Sequence, residues 1–340
     1  MPTRAAIKAI ASYLPQTKLS NEDLAAQLGT WTAEEIREKT GVCSRGIAGP
    51  DECASDLGVA AAQRLFGSGA CRPEDIDFLL FCTQTPDYAL PATACLVQRR
   101  LGLRTDAGAV DFNQGCSGFV YGLVMAKGLI EAGTARSVLL ITAETYSKWI
   151  HPKDRSVRTI FGDGAAATLV AGVESDQELI GPLVLGTDGA GEKNLIVPVS
   201  GARRHRAPET GVASERESGN WRSDENLFMN GPEILTFTLR TVPKAVRALL
   251  ERWQHPVEDV DLFVFHQASR FMLERLRDKM GLPAQKFWID LENCGNTVSA
   301  TIPIAVEAAL AQRRVASGSR VMLVGFGVGY SWAAAMMRCL

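Results

Sequence analysis

The sequence predicts an α/β fold assembled from two copies of one α/β unit. Three observations carry that expectation. Continuous apolar runs alternate with Ala/Leu-rich amphipathic stretches, an eight-residue strand signature occurs twice without gaps, and 340 residues are enough for about two domain-sized units.

In chain order, the first unit begins with the helix-like Ser55–Gly67 (SDLGVAAAQRLFG), followed by the strand-like Asp77–Cys82 (DFLLFC). Ala109–Asn113 (AVDFN) is the next strand, and Cys116–Gly133 has helix-compatible apolar spacing with a glycine at its end. Val138–Thr142 (VLLIT) is a buried strand, and Phe161–Val170 (FGDGAAATLV) combines a turn with another, which gives Asp163 a structural role. The second unit repeats this order. Glu74–Phe81 (EDIDFLLF) aligns on Glu258–Phe265 (EDVDLFVF), Asp111–Gly118 lines up within a residue with Asp290–Thr297, and Val138–Thr142 is echoed by Val321–Gly325 (VMLVG). These matches divide the chain into halves of residues 1–175 and 176–340. Between the repeated elements of the second half, Ser200–Asn226 is polar and poor in aliphatics, and reads as a long loop. Its Arg203, Arg204 and Arg206 form either a solvated surface or a site edge attracting an anion.

Composition excludes several function classes. Lys+Arg 36 against Asp+Glu 38 leaves a net charge of -2, which disfavours a generic nucleic-acid or anionic-membrane binder. The uncharged stretch Val321–Met337 carries three glycines and reads as a buried strand and turn rather than a membrane span. The N-terminal residues lack a secretory pattern, so a cytoplasmic protein is expected. Eight cysteines show neither C-x-x-C pairs nor zinc spacing, which predicts free thiols, mostly buried, and no structural metal.

Cys116 is the first candidate for chemistry. It opens a helix, where free N–H groups and the positive dipole end would stabilise a thiolate, and Gly115 and Gly118 allow a sharp turn around it. The repeat adds partners: the equivalent turn of the second half carries Asn296, and the equivalent of the strand end at Cys82 is His266. Related strand ends in a duplicated fold face one cleft, so Cys116, His266 and Asn296 are expected to converge. Gly325–Trp332 (GFGVGYSW) follows a buried strand, and its glycines suit a backbone that closely approaches something and aims N–H groups at an oxygen. His151, His205 and His255 need no more than surface positions.

Together, the Cys of Asn113–Phe119 (NQGCSGF), the His of Phe265–Ser269 (FHQAS), the Asn of Cys294–Thr301 (CGNTVSAT) and the terminal GFGVGYSW resemble β-ketoacyl-acyl carrier protein synthase III of the thiolase superfamily. Thr159–Ala167 (TIFGDGAAA) and Ile302–Ala305 (IPIA) extend the resemblance over nearly the whole chain. It implies a thiolase-like five-layered α/β/α/β/α fold, normally a homodimer. It also implies a decarboxylating Claisen condensation in which Cys116 takes an acyl group from a primer thioester and malonyl carrier protein supplies the carbanion. By the same resemblance, His266 and Asn296 stabilise the enolate, and the backbone N–H groups of Cys116 and Val328 form the oxyanion hole. No cofactor is implied beyond coenzyme A or phosphopantetheine thioesters as substrates, and no metal.

The resemblance also assigns substrate contacts. Arg155 matches the family arginine that helps hold the nucleotide, and Phe326 lies in the terminal glycine segment beside the substrate. Leu90 stands where a phenylalanine from the partner subunit often limits primer length. Ser269 replaces the Asn of an HQAN motif, and Glu35 replaces a tryptophan that stacks on adenine, so a primer other than acetyl coenzyme A is expected. Arg270, Arg275, Arg277 and Lys279 on one helix offer a surface for the acidic carrier protein. Two other readings stay open: an acyltransferase of specialised metabolism using a non-malonyl acceptor, and a non-catalytic carrier-binding partner. A thiolase proper is disfavoured because the terminal glycine loop has no cysteine.

Overall fold

The structure, a computed structural model, describes all 340 residues. Two five-stranded sheets organise it. The first contains β1 (Thr3–Tyr13), β2 (Phe78–Cys82), β3 (Gly108–Phe112), β4 (Ser137–Glu144) and β5 (Gly164–Glu174). The second contains β6 (Ile180–Thr187), β7 (Leu262–Phe265), β8 (Phe287–Trp288), β9 (Arg320–Gly327) and β10 (Ser331–Arg338).

Their strand orders are the same. The first runs β3-β2-β4-β5-β1 and the second β8-β7-β9-β10-β6. Directions repeat as well: β2 is parallel to β3 and β4 as β7 is to β8 and β9, and the last two pairings of each sheet are antiparallel. Two of the sequence matches therefore fall on equivalent strands, β2 with β7 and β4 with β9, and the third on the turns that follow β3 and β8. The first sheet's last strand ends at Glu174 and the second sheet's first begins at Ile180.

Helices α1 (Asn21–Leu28), α2 (Ala33–Thr40), α3 (Ala54–Gly67), α4 (Thr93–Leu101), α5 (Gly118–Glu131), α6 (Arg155–Arg158), α7 (Gly231–Trp253), α8 (Arg270–Met280) and α9 (Thr301–Ala311) complete the chain. The alternation of strand side chains sets the layers. On β4, Leu139 and Ile141 pack toward α3 and α4, whereas Val138 and Leu140 face α5 and α9. On β9, Met322 and Val324 pack toward α7 and α8, and Val321 and Leu323 face the same central pair. Both faces of each sheet are thus covered, which explains the unbroken apolar runs Phe78–Phe81, Val138–Ile141, Leu262–Phe265 and Val321–Val324 in the central strands. The result is five layers, α3/α4, first sheet, α5/α9, second sheet, α7/α8. The central α9 is apolar nearly all round, as a helix buried between two sheets must be.

Residues 200–226 form irregular chain with one two-residue pairing, Ser214–Glu215 with Trp221–Arg222. Arg204 pairs with Asp224 at 2.7 Å and Arg206 with Glu225 at 3.4 Å, so of Arg203, Arg204 and Arg206 the last two are neutralised within the segment. No helix is long and apolar enough to cross a membrane.

Candidate active site

Strand ends and turns from both halves meet at one cavity of about 370 Å³, lined by Cys116, Phe161, His266, Ser269, Asn296 and Phe326 among others. Cys116 sits in the turn between β3 and α5, two residues before the helix begins. A buried contact of 2.7 Å between the hydroxyls of Ser117 and Ser331 ties that turn to the start of β10. The glycines of the terminal segment are required by this approach. A Cβ on Gly325 would stand 2.7 Å from the Ser117 Cα, and one on Gly327 would stand 2.9 Å from the Cys116 sulfur.

The thiol differs from the sequence expectation. Burial pushes Cys116 up to about 12, negative charge on Glu144 would add to the rise, and the backbone N–H groups of Cys116 and Val328 work against it. Desolvation of the charged form outweighs the helix-end field, so the resting sulfur is a thiol rather than a thiolate. Those same two N–H groups are the pair that the resemblance assigns to an oxyanion hole.

His266 follows β7 and is buried. Its backbone N–H donates to the Val324 carbonyl at 2.8 Å, extending the β7–β9 ladder and fixing where the ring begins. Nδ1 lies 2.7 Å from the Thr301 hydroxyl, and the ring meets Phe326 edge-on, with centroids 5.5 Å apart. Burial drives the imidazole down to about 3, with the Val298 backbone pulling the other way, so the ring is uncharged at neutral pH.

Asn296 is held by backbone on both sides. Its N–H donates to the Ile160 carbonyl at 2.9 Å, and its own carbonyl accepts from Gly162 at 3.0 Å. The side-chain oxygen is taken by the Val298 N–H at 2.9 Å, which leaves the amide NH₂ turned toward His266 Nε2 at 3.5 Å. Val298 makes that contact from φ +56°. A β-branched residue in this region costs on the order of 1–3 kcal/mol, and here the strain accompanies the fixing of the Asn296 amide.

Phe326 is buried against His266. Ser269 lines the cavity, but its hydroxyl caps α8 by accepting from the Met272 N–H at 3.3 Å. Leu90 does not reach the cavity of its own chain and is 84% exposed. Arg155 donates to the Ser218 carbonyl and lies over the ring of Trp31 at 5.2 Å, with Lys39 at 5.0 Å from the same ring. Glu35 occupies the matched position, as the sequence has it, but another aromatic ring, Trp31, stands beside Arg155. Glu35 instead closes a capping box, its carboxylate accepting from the Thr32 N–H at 2.7 Å and hydroxyl at 3.1 Å.

Of the α8 cations, Arg270 pairs with Glu274 at 3.9 Å, Arg277 pairs with Asp278 at 2.8 Å, and Arg275 lies over Phe271. Lys279 joins Arg240, Lys244 and Arg247 of α7 along a groove of about 560 Å³. The sequence reading missed the α7 group. Its signal was there, since bases at i, i+4 and i+7 share one helix face. All eight cysteines are free: four are buried, three half-buried, and Cys95 is exposed.

Residues 110–189 match the family model of 3-oxoacyl-[acyl-carrier-protein] synthase III, and residues 250–339 match its C-terminal model. A β-ketoacyl-[acyl-carrier-protein] synthase III of Caldanaerobacter subterraneus is 37% identical, with 98% of this chain and 97% of the relative covered. One of Streptomyces coelicolor is also 37% identical, with the same 98% and 97% covered. A crystal structure of a 3-oxoacyl-(acyl-carrier-protein) synthase III superposes with a TM-score of 0.97 at 52% identity, covering 98% of this chain and 99% of that one. The priming β-ketosynthase of the R1128 polyketide pathway superposes at 0.88 with 31% identity, covering 100% and 98%.

Proposed function

The chain belongs to the 3-oxoacyl-[acyl-carrier-protein] synthase III family, and on that premise we propose that Cys116, His266 and Asn296 carry its condensation of an acyl thioester primer with malonyl carrier protein. The enzyme is an acyltransferase of the ketoacyl-synthase type. The observation that carries the residue assignment is the meeting of the three side chains on one cavity, with Gly325 and Gly327 clearing the backbone beside the sulfur.

In the first step, Cys116 attacks the primer carbonyl. The oxyanion rests on the N–H groups of Cys116 and Val328, the bond to the primer sulfur breaks, and the departing thiol leaves with the proton that Cys116 gave up. In the second, malonyl thioester loses carbon dioxide and the electron pair of the broken C–C bond passes into an enolate. Its oxygen needs donors that do not protonate carbon, a task suited to a neutral imidazole Nε2–H and the Asn296 amide. The enolate carbon then attacks the acyl carbonyl, the bond to Cys116 breaks with the sulfur leaving as a thiolate, and that thiolate takes up one proton from water to restore the thiol. Thioester substrates suffice for this scheme.

Three finer assignments belong to the same reading. A homodimer is supported by the exposed Leu90 and Tyr88 beside the unpaired edge of β3, where Val110 is also exposed. In such a dimer, Leu90 of each chain bounds the partner's acyl pocket. Trp31 with Arg155 and Lys39 suits the base and phosphates of coenzyme A, so the enzyme accepts a coenzyme A primer more readily than Glu35 suggests. The Arg240, Lys244, Arg247 and Lys279 groove suits an acidic carrier protein. A non-malonyl acceptor and a non-catalytic partner role find no support in the family match.

Intact-mass analysis after mixing with acyl thioesters tests the assignment. Cys116→Ala gains no acyl mass, whereas His266→Ala and Asn296→Ala gain it and lose about a hundredfold in carbon dioxide release from malonyl carrier protein. Wild-type release by either variant would overturn the roles given to His266 and Asn296.

A further inference from the structure

Glu144 ends β4 with its side chain fully buried directly behind the cavity. One carboxylate oxygen accepts from the Ser299 hydroxyl at 2.7 Å. The other accepts from the Gln84 N–H at 3.0 Å and the Thr85 hydroxyl at 3.4 Å. These partners come from both halves of the molecule. Ser299 belongs to the turn Val298–Ala300, between Asn296 and the Thr301 that touches His266. Gln84 and Thr85 begin the loop that runs from β2 to Leu90, and a Cβ on Gly115, next to Cys116, would stand 2.5 Å from the Gln84 side-chain oxygen.

We propose that Glu144 is a positioning residue that holds the turn bearing Asn296 and Thr301 in register with the turn bearing Cys116. The proposal rests on the roles given above to Cys116, His266 and Asn296. None of its three hydrogen-bond partners is a cation. The ionisable groups facing it are Cys82 at the end of β2, Cys116 before α5, Tyr146 after β4 and Asp163 before β5, and all of them are acids. Burial is the main reason the carboxyl is raised to about 8, so it is predominantly protonated at neutral pH. As an acid it keeps one oxygen for the Gln84 N–H and donates to the Ser299 hydroxyl, preserving both links. Once ionised, it adds a negative charge behind the two places where the reaction creates one. Rate should therefore fall as Glu144 loses its proton above about pH 8.

The test measures the half-reactions separately, acylation by intact mass and decarboxylation by carbon dioxide release, from pH 6 to 9.5. Ser299→Ala cuts the tie to the Asn296 turn and lowers decarboxylation by about tenfold while leaving acylation within about threefold of wild type. Glu144→Gln stays neutral at every pH and loses the alkaline fall seen in wild type. An unchanged alkaline fall in Glu144→Gln, or equal slowing of both half-reactions in Ser299→Ala, would overturn the proposal. Should Glu144→Gln not fold, the Ser299→Ala split decides alone. Wild-type decarboxylation by His266→Ala is a separate result that would sink the underlying reading instead.

Discussion

The Thr301 hydroxyl oxygen lies 2.7 Å from His266 Nδ1 and also 3.0 Å from the Val298 carbonyl oxygen. One hydroxyl proton serves only one of these acceptors. When it goes to Nδ1, the imidazole proton sits on Nε2 and faces the cavity as a donor. When it goes to the carbonyl, Nδ1 carries the proton and Nε2 becomes an acceptor for the Asn296 amide. Enolate stabilisation needs the first arrangement. Thr301→Val, similar in shape but without the hydroxyl, should leave acylation unchanged and lower decarboxylation about tenfold at unaltered malonyl KM, measured by steady-state carbon dioxide release.

Leu90 bears on quaternary structure and primer choice together. Light scattering should give a dimer, and Leu90→Phe should shorten the preferred primer in a panel of acyl thioesters. An unchanged chain-length profile would remove Leu90 from the pocket, and a monomer would remove the borrowed loop.

Trp31→Ala separates the two kinds of primer carrier. Loss of the ring between Lys39 and Arg155 should raise KM for a coenzyme A primer by about tenfold, the worth of roughly one stacking or cation–π contact. The same acyl group on carrier protein should be affected far less. Equal effects on both would mean that Trp31 contacts no nucleotide.

The α7 groove predicts the complementary result. The double substitution Lys244→Glu, Arg247→Glu should weaken malonyl carrier protein by about tenfold in KM at low salt, with the gap closing as salt rises. Acylation from coenzyme A should stay at the wild-type rate. A salt-independent effect would point to lost packing instead of steering.

Much of this arrangement was readable from the chain. Alignment of Glu74–Phe81 with Glu258–Phe265 anticipates equivalent strands, and the repeat places Asn296 opposite Cys116 because equivalent turns must face the same cleft. The glycines of Gly325–Gly329 also announce a close approach, although only the structure identifies the sulfur as what is approached. Other features depend on distances that spacing does not encode. Trp31 lies one helical turn upstream of the family's aromatic position, and reaches Arg155 only through the fold. Glu144 looks like an ordinary strand-end acid until Ser299 arrives from 155 residues away. The Cys116 thiol shows the limit of local reasoning, because a helix start favours the charged form while burial by the distant terminal strand pair disfavours it more.

The central layer has a consequence for how the molecule comes into being. Helix α5 belongs to the first half and α9 to the second, yet α9 packs on β1 and β5 of the first sheet and α5 on β9 and β10 of the second. A ribosome that has released only residues 1–175 has therefore made a sheet with one inner face missing half its cover. Such a fragment presents Ile10 of β1 and Ala166 of β5, which meet α9 in the whole molecule, to solvent or to a chaperone until the second half arrives. A nick in the short connection at 175–179 should be harmless once the protein is assembled, whereas separately synthesised halves should stay insoluble unless they meet while folding.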